Sequence, residues 1–315
     1  MQYLYGVLVI IGAFFVITLI RAAFFRPKEG KVEAMPSEKV DTERYRKNLS
    51  AALTYKTISD RDPEKMDFAE FERFHEFLKG AYPLIHEHLE LEKVSYASLL
   101  YCWKGKDSTL NPIAMLAHQD VVPISKGTLD DWTHPPFSGV DDGEFIWGRG
   151  SIDMKNHLIG VMESVETLLE EGFEPERDVY LCFGHDEEVM SSDISGAKAI
   201  VNLLKERGIK LDAVLDEGGA MLPVNIKGVI NKKLAGIGLA EKGHADFKIS
   251  VSAKGGHSSQ PPKHSALGEL ANVIKRLENN QFKSELTPMM RSLLDKIGRN
   301  TSYPVRLITC NIPLL

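Results

Sequence analysis

The sequence has few cysteines and no excess of positive charge. Three cysteines occur among the 315 residues, at positions 102, 182 and 310, and none belongs to a Cys-x-x-Cys pair. This spacing excludes a disulfide framework and argues against a zinc site built from thiolates, so we expect three buried thiols. The formal net charge of -6 and the pI near 6.0 argue against a nucleic-acid-binding protein, whose surface is typically basic. We therefore expect no nucleic-acid partner.

Charged side chains are also missing from the first 20 residues. This stretch is apolar and long enough to cross a bilayer, so we predict a transmembrane helix over residues 1–25. A cleavable signal peptide needs a basic segment before the apolar core and a small-residue cleavage site after it, and neither is clear here. The sequence therefore favours an uncleaved, single-pass membrane anchor. Basic residues follow the segment and none precedes it, which favours a cytoplasmic main domain, although the side of the membrane stays open.

The whole sequence is 43% hydrophobic, enough for a sizeable core, and predicted strands alternate with predicted helices after the N-terminal segment. Residues 26–40 are polar and contain two prolines, which predicts a linker. Helices are predicted over 41–53, over 67–79 with Gly80 as the end, over 154–171 before Gly172, and over 195–207 before Gly208. Apolar strands are predicted to end at residue 118 and to cover 179–183 and 213–215. This order predicts an α/β fold with a doubly wound, mostly parallel sheet in a domain of residues 41–235.

The pattern changes after residue 236. Phe247, Ile249 and Val251 alternate with polar residues, which predicts a half-buried strand, and a helical run over 266–277 follows. We predict a second, α+β domain over residues 236–315.

Acidic and imidazole side chains follow the predicted strands. His118-Gln119-Asp120, Asp186-Glu187-Glu188 and Asp216 each come directly after, or end, a short apolar run, and Asp153 stands at the start of a helix. Buried parallel strands deliver such side chains to the carboxyl edge of a sheet, where α/β proteins bind ligands. One imidazole and several carboxylates meeting there suit zinc, with one carboxylate to spare as a general base. The pattern predicts a metal-dependent hydrolase.

Each of these residues also has a simpler interpretation. His118 could be no more than the last residue of a strand. If the strand instead persists to Asp120, both side chains leave the same face, so one can bind a metal while the other orients it. Glu187 and Glu188 point apart on an extended backbone, which separates a base from a ligand. Asp153 is equally well explained as a helix N-cap, Asp216 as an acid in a loop, and His257 as a turn residue.

Six stretches together resemble the zinc aminoacylase and carboxypeptidase metallopeptidases, the family that includes vacuolar carboxypeptidase S and the N-fatty-acyl-amino-acid synthase/hydrolase. They are Leu116-Ala117-His118-Gln119-Asp120-Val121-Val122-Pro123, Trp132 through Pro135-Pro136-Phe137, Trp147-Gly148-Arg149-Gly150-Ser151-Ile152-Asp153-Met154-Lys155, His185-Asp186-Glu187-Glu188, Asp216-Glu217-Gly218-Gly219 and Gly255-Gly256-His257-Ser258-Ser259. The resemblance implies a zinc-exopeptidase fold over 41–235 with a lid or dimerisation domain over 236–315.

The resemblance also implies a site with two zinc ions. His118 would bind one ion with Glu188 or Asp216, Asp153 would bridge both, and the remaining acid would bind the second. Glu187 would be the general base and acid. Asp120 takes its catalytic role, that of holding the imidazole, from its spacing to His118 rather than from the resemblance. The resemblance implies that His257 would bind the substrate. The substrate would be a peptide or an N-acyl amino acid whose product carries a free carboxylate, and the lid domain would form a homodimer.

One feature of the family pattern has no match. In the family the chain returns from the lid to complete the catalytic sheet and supplies a last histidine ligand near its C-terminus, whereas this sequence stops within the predicted lid and no candidate follows. The sequence is therefore expected to be a partial chain. Two hypotheses stand: a membrane-anchored zinc carboxypeptidase or aminoacylase, and a catalytically inactive, membrane-tethered scaffold that keeps the fold.

Overall fold

The structure is a computed structural model that describes residues 2–27, 40–189, 195–239, 243, 245–257, 259–260 and 262–312. The chain divides into two compact units. Met35–Glu217 forms the first, which we call the sheet unit. Met1–Ala34 and Gly218–Leu315 form the second, which we call the flanking unit. The domain boundaries given by the sequence stay predictions, and residues 28–39 of the predicted linker lie outside the described residues.

The secondary structure follows a mixed order. The helices are α1 (Gln2–Phe24), α2 (Thr42–Ala52), α3 (Phe68–Ala81), α4 (Pro83–His88), α5 (Lys155–Glu170), α6 (Gly196–Glu206), α7 (Ala266–Asn279), α8 (Pro288–Arg299) and α9 (Tyr303–Thr309). The strands are β1 (Glu90–Val94), β2 (Ser98–Trp103), β3 (Ile113–His118), β4 (Val140–Asp141), β5 (Ile146–Trp147), β6 (Val179–Gly184), β7 (Ala213–Leu215), β8 (Ala220–Ile226) and β9 (Ile230–Gly236).

The sheet unit is built on a five-stranded sheet with the order β1-β2-β6-β3-β7. The pairs β6-β3 and β3-β7 are parallel, whereas β1-β2 and β2-β6 are antiparallel. The sheet is therefore mixed, and the expected parallel arrangement holds for the three strands that the sequence identifies. The two strands that the sequence leaves unassigned, β1 and β2, add the antiparallel half.

Helix starts in the sheet unit follow from local side-chain chemistry. Asp41 caps α2 by accepting from the backbone N–H of Arg44, and Asp67 caps α3 by accepting from that of Glu70. The predicted end of α3 at Gly80 is wrong, because the helix continues to Ala81. Pro83 ends the helix, because a proline disfavours the helical backbone conformation at the residue before it, here Tyr82.

The core of the sheet unit has two main clusters, one on each face of the sheet: the larger lies against α2, α3, α4 and α5, and the smaller lies against α6. Leu158, Ile159 and Met162 of α5 are fully buried and belong to the same cluster as Leu181 and Phe183 of β6. Burying a side chain of this size contributes about 1.5–3 kcal/mol. The helical spacing of the apolar residues in α5 is what places them on one face, as the sequence predicts.

Strand β7 was predicted to be buried like β3 and β6, but its side chains are more exposed. Val214 and Leu215 are more than half exposed. The expectation of a buried strand is wrong here because β7 stands at the edge of the sheet, with β3 as its neighbour on one side only among the described strands.

The flanking unit contains a two-stranded hairpin and helices. Strands β8 and β9 pair antiparallel from Ala220↔Gly236 to Ile226↔Ile230. Ser265 caps α7, which confirms the helix predicted over 266–277. The strand predicted through Phe247 and Val251 is not formed, because no described residue pairs with it and an unpaired strand leaves its backbone groups without partners.

Helix α1 is the apolar N-terminal segment. Its residues Tyr3–Phe24 have a mean hydropathy of 2.6 and are long and apolar enough to span a membrane. The 23-residue helix is roughly 34 Å long at about 1.5 Å per residue. A signal sequence or the core helix of a soluble protein meets the same criterion of length and composition.

Candidate metal centre

Three parallel strands end at one edge of the sheet, and the candidate residues stand at or just beyond those ends. His118 is the last residue of β3 and is paired in register with Gly184, the last residue of β6. Glu187 and Glu188 follow Gly184 after two residues, and Asp216 follows β7 directly. The carboxyl edge of a parallel sheet is where α/β folds gather ligand-binding side chains.

His118 is shared by two groups of possible metal ligands. One group is His118, Asp153 and Glu188, and the other is His118, Glu187 and Glu217; in each, the donor atoms lie within 4.8 Å of one another. The Nε2 atom of His118 lies 3.0 Å from Asp153 Oδ1. It lies 3.8 Å from one carboxylate oxygen of Glu187 and 3.8 Å from one of Glu217. Imidazole nitrogen and carboxylate oxygen together suit a divalent cation such as zinc.

Asp120 forms hydrogen bonds with His118 and with the backbone of Glu187 and Glu188. Its backbone carbonyl accepts from Nδ1 of His118 at 2.9 Å, which leaves Nε2 directed to the carboxylates. Its buried carboxylate accepts from the backbone N–H groups of Glu187 and Glu188, both at 3.1 Å, and from Oγ of Ser59 at 2.6 Å. Strand β3 ends at His118, so the contact does not depend on a strand face shared through Asp120. The geometry agrees with the orienting role predicted for Asp120, which stays a prediction.

The electrostatics of His118 reflect this acidic surrounding. Burial opposes its protonation, but the hydrogen bond and charge of Asp120 and the charge of Glu187 outweigh burial and raise the pKa of His118 to about 9. In turn, burial opposes ionisation of Asp120, while the hydrogen bonds from His118 and Ser59 lower its pKa. The imidazole is therefore positively charged near neutral pH and attracts the carboxylates.

The carboxylates around His118 repel one another. Burial, followed by the charge of Asp153, raises the pKa of Glu188 to about 7. Burial also raises the pKa of Glu187 and of Glu217, against the opposing charge of His118. A divalent cation would offset both the desolvation cost of the ionised carboxylates and their mutual repulsion, because it supplies positive charge next to them. The donor set therefore fits a metal ion.

Asp153 is placed by the start of α5. The N-cap of this helix is Met154, which makes no side-chain capping bond, so the interpretation of Asp153 as an N-cap is wrong. The next residue, Lys155, is fully buried and donates from Nζ to the backbone carbonyls of Ala52 (3.0 Å) and Tyr55 (2.7 Å). These bonds tie the first turn of α5 to the end of α2, which fixes the backbone that carries Asp153.

Two predicted site residues, Asp216 and His257, belong to neither group of possible metal ligands. The carboxylate of Asp216 accepts from the backbone N–H of Glu217 at 2.8 Å, and it is Glu217 that belongs to a ligand group. His257 lies in the flanking unit, where its Nδ1 contacts Oγ of Ser259 at 2.8 Å and accepts from the backbone N–H of Ser259 at 3.3 Å. Ser258 lies outside the described residues. The roles of Asp216 and His257 stay predictions.

Sequence reasoning assigned no role to Glu217 or Ser59. Glu217 stands inside a stretch that carries the family resemblance, directly after Asp216, so its nearness to β7 was the available signal. Ser59 belongs to no motif, and its partner Asp120 is 61 residues away in the chain. The pairing that brings them together exists only in the folded protein.

Comparison with known proteins identifies a family. The family model described as peptidase family M20/M25/M40 matches residues 114–293, which is more than half of the chain. A probable carboxypeptidase S-like protein of Dictyostelium discoideum is 40% identical over 297 residues, covering 91% of this chain and 56% of the relative. Carboxypeptidase S of Saccharomyces cerevisiae is 40% identical over 248 residues, covering 75% and 42%. An N-fatty-acyl-amino acid synthase/hydrolase of Danio rerio is 39% identical over 268 residues, covering 84% and 51%.

The chain spans about half the length of these curated relatives. The stretch matched by the family model begins within β3 and includes His118, Asp153, both glutamates after β6, and the acids after β7. The gathered imidazole and carboxylates accord with a metal-dependent family. The chain belongs to the peptidase family M20/M25/M40, as the resemblance of its motifs implied.

Proposed function

We propose that the protein is a zinc-dependent hydrolase that cleaves an amide bond next to a free carboxylate. The observation that carries this proposal is the group formed by His118, Asp153 and Glu188, whose donor atoms lie within 4.8 Å of one another at the carboxyl edge of the sheet. Three protein ligands of the imidazole and carboxylate type are the usual set of a catalytic zinc site.

The proposed site holds two zinc ions. His118, Asp153 and Glu188 would hold one of the ions. Asp153 would also serve the second ion, and Asp216 would contribute a further carboxylate from the end of β7. Bound zinc would supply a Lewis acid that polarises the scissile carbonyl. The chain's own part is to fix these donors, and Asp120 does so by contacting both His118 and the backbone of Glu188.

Glu187 is the proposed general base and acid. Its backbone is held by the bond to Asp120, and its half-exposed carboxylate stands within 3.8 Å of His118 Nε2. Because burial raises the pKa of Glu187, the carboxylate is a better proton acceptor near neutral pH than an ordinary glutamate. It would take a proton from the attacking water and deliver it to the leaving nitrogen.

The names of the relatives support the substrate class. Carboxypeptidase S and an N-fatty-acyl-amino acid synthase/hydrolase are both named for reactions at an amide bond of an amino acid. We propose a peptide or an N-acyl amino acid as the substrate, with His257 as a substrate-binding residue. We also propose that α1 anchors the protein in a membrane as a single span, and that residues 236–315 form part of a lid that mediates a homodimer.

The test measures zinc and hydrolysis on the purified chain. We expect about two zinc ions per chain. We expect hydrolysis of an N-acyl amino acid, far slower hydrolysis of the same compound with its carboxylate converted to a neutral amide, and loss of activity with a chelator that zinc reverses. Zinc binding without any hydrolysis would instead support the inactive, membrane-tethered scaffold. Failure to bind zinc would reject the metal site altogether.

A further inference from the structure

The short segment after α2 runs beside the end of β3. The backbone N–H of Val121 donates to the carbonyl of Thr57 at 2.9 Å, and Ile58 pairs with Val121 in a parallel bridge. Residues 57–59 thus extend alongside the residues that follow His118. Two hydroxyl side chains of this segment, those of Thr57 and Ser59, are buried.

The hydroxyl of Ser59 points to Asp120. Its Oγ donates to Oδ2 of Asp120 at 2.6 Å, and Asp120 is completely buried. The backbone N–H groups of Glu187 and Glu188 also donate to this carboxylate. The Nδ1 atom of His118, which donates to the backbone carbonyl of Asp120, lies 3.3 Å from Oδ1. Ser59 is thus the side-chain donor that comes from outside the ends of β3 and β6.

We propose that Ser59 is a positioning residue of the metal site, which acts by fixing the Asp120 carboxylate that orients His118 and Glu188. This inference rests on the proposed function. Without the hydroxyl, Oδ2 of this buried carboxylate loses the shorter of its two hydrogen bonds and keeps the 3.1 Å bond from the backbone N–H of Glu188. The carboxylate would then turn toward its remaining donors, and the groups that it holds would turn with it. Metal sites are sensitive to such changes behind the ligands.

Thr57 offers a matched control. Its Oγ1 donates to the backbone carbonyl of Gln119 at 2.6 Å, and its side chain is completely buried. The bond has the same length, belongs to the same segment and also involves a buried hydroxyl, but its acceptor is not Asp120. Thr57→Val removes this bond with little change of shape, so it reports what the loss of a buried hydroxyl does to the fold alone.

The experiment compares Ser59→Ala with Thr57→Val in the full chain. Zinc affinity is measured by competition with a chelator, and the melting temperature is measured without metal. We expect Ser59→Ala to weaken zinc binding roughly tenfold, the low end of the effect of residues that orient ligands. We expect Thr57→Val to change it less than about twofold, while both variants lower the melting temperature to a similar extent. The absorption spectrum of bound Co²⁺, which reports ligand geometry, should change in Ser59→Ala only.

The outcomes separate the two proposals. If the unchanged chain binds zinc and the two variants bind it equally well, or lose affinity equally, the role of Ser59 is rejected and the proposed function stands. If the unchanged chain binds no zinc, the proposed function fails and the role of Ser59 fails with it. Should Ser59→Ala not fold, Ser59→Cys keeps a weak donor at the position. Its zinc affinity is then expected between that of the unchanged chain and a tenfold loss, and an unchanged affinity and Co²⁺ spectrum would reject the role.

Discussion

The two units of the chain treat apolar side chains differently. In the sheet unit, Leu158 of α5 is fully buried, and it packs in the core that includes β6. In the flanking unit, Leu267 of α7 is 77% exposed and Met221 of β8 is 84% exposed. Both α5 and α7 carry apolar residues at helical spacing, so the sequence pattern does not distinguish them. The difference is that five strands pair in the sheet unit, whereas the described strands of the flanking unit form a hairpin.

This difference accords with the location of the candidate metal ligands. Both candidate ligand groups belong to the sheet unit, where strand ends and helix starts with a buried core fix the donor atoms. A site held by rigid elements keeps its geometry without its ligand better than one held by loops. His257, by contrast, belongs to a segment of the flanking unit without regular secondary structure. The comparison thus predicts that chemistry and stability depend mainly on the sheet unit.

The largest expected effect is on catalysis. Glu187→Gln in the sheet unit should lower kcat by about 10²–10⁴-fold, the usual contribution of a general base, with zinc content unchanged. His257→Ala in the flanking unit should act mainly on KM and lower kcat far less. Glu144→Gln removes an exposed carboxylate of the sheet unit and serves as the control. Equal losses of kcat in Glu187→Gln and His257→Ala would break the comparison between the units.

The next effect is on the free energy of unfolding. Leu158→Ala should lower it by about 2–5 kcal/mol, because a buried leucine is replaced and a cavity is left. Leu267→Ala, the same change at a helical site that is 77% exposed, should alter it by no more than about 0.5 kcal/mol. Urea unfolding of both variants measures the difference. A large loss in Leu267→Ala would mean that another surface, such as a second copy of the chain, covers this face in solution.

A third effect distinguishes the two acids after β7. Asp216 directly follows the strand, whereas Glu217 precedes Gly218 and Gly219, whose φ angles are +96° and +86°. The contact of Glu217 with His118 is an attraction to a charged imidazole, and a metal ligand must be a neutral imidazole, so this attraction disappears when metal binds. We therefore expect Asp216→Asn, which removes a proposed ligand, to weaken zinc binding by at least about tenfold, the low end for residues that only orient ligands, and Glu217→Gln to weaken it less.

Chelator competition measures both affinities, and the reverse order would establish Glu217 as the ligand in place of Asp216. That result would also sharpen the comparison, because a ligand from the residue before the glycines would be held by a loop rather than by a strand end.

The sequence predicts much of the sheet unit because its elements are locally encoded. Strand β6 is a continuous apolar run and α5 has a clear apolar face, so both were predicted nearly to the residue. Strand β1 was not, since four of its five residues are exposed and three are charged. A strand of this composition is fixed by pairing with β2, which no local pattern reports.

The site also contains residues that could be identified from the sequence and one that could not. His118, Asp153 and Glu188 were identifiable because each stands next to a recognisable strand or helix boundary. Ser59 was not, because its proposed role depends on a bridge between Ile58 and Val121 that forms only in the folded chain. The strand expected through Phe247 fails for a related reason, since alternation makes a strand possible but a paired neighbour makes it stable.

The smallest expected effect is on the pH dependence of stability without metal. The pKa of Glu188 is raised from 4.5 to about 7, so its share of the free energy of unfolding is present below pH 4.5 and lost as the pH rises to 7. The pKa of His118 is raised from 6.5 to about 9, so its share is lost between pH 6.5 and 9. Both groups make the metal-free sheet unit less stable as the pH rises.

Glu188→Gln tests this sign. Subtracting the unfolding free energies of the variant from those of the unchanged chain should give a difference that falls by about 1 kcal/mol between pH 4.5 and 7, a modest figure because Glu188 is only partly buried and solvent screens its charge. The decline between pH 7 and 9 should persist in the variant, since His118 and Asp120 remain. Zinc should remove the decline in the unchanged chain, because a bound cation takes the place of the protons. A difference that stays flat across pH 4.5–7 would show that Glu188 does not sense the other carboxylates, and the crowding that makes this edge of the sheet fit a cation would then lack its main support.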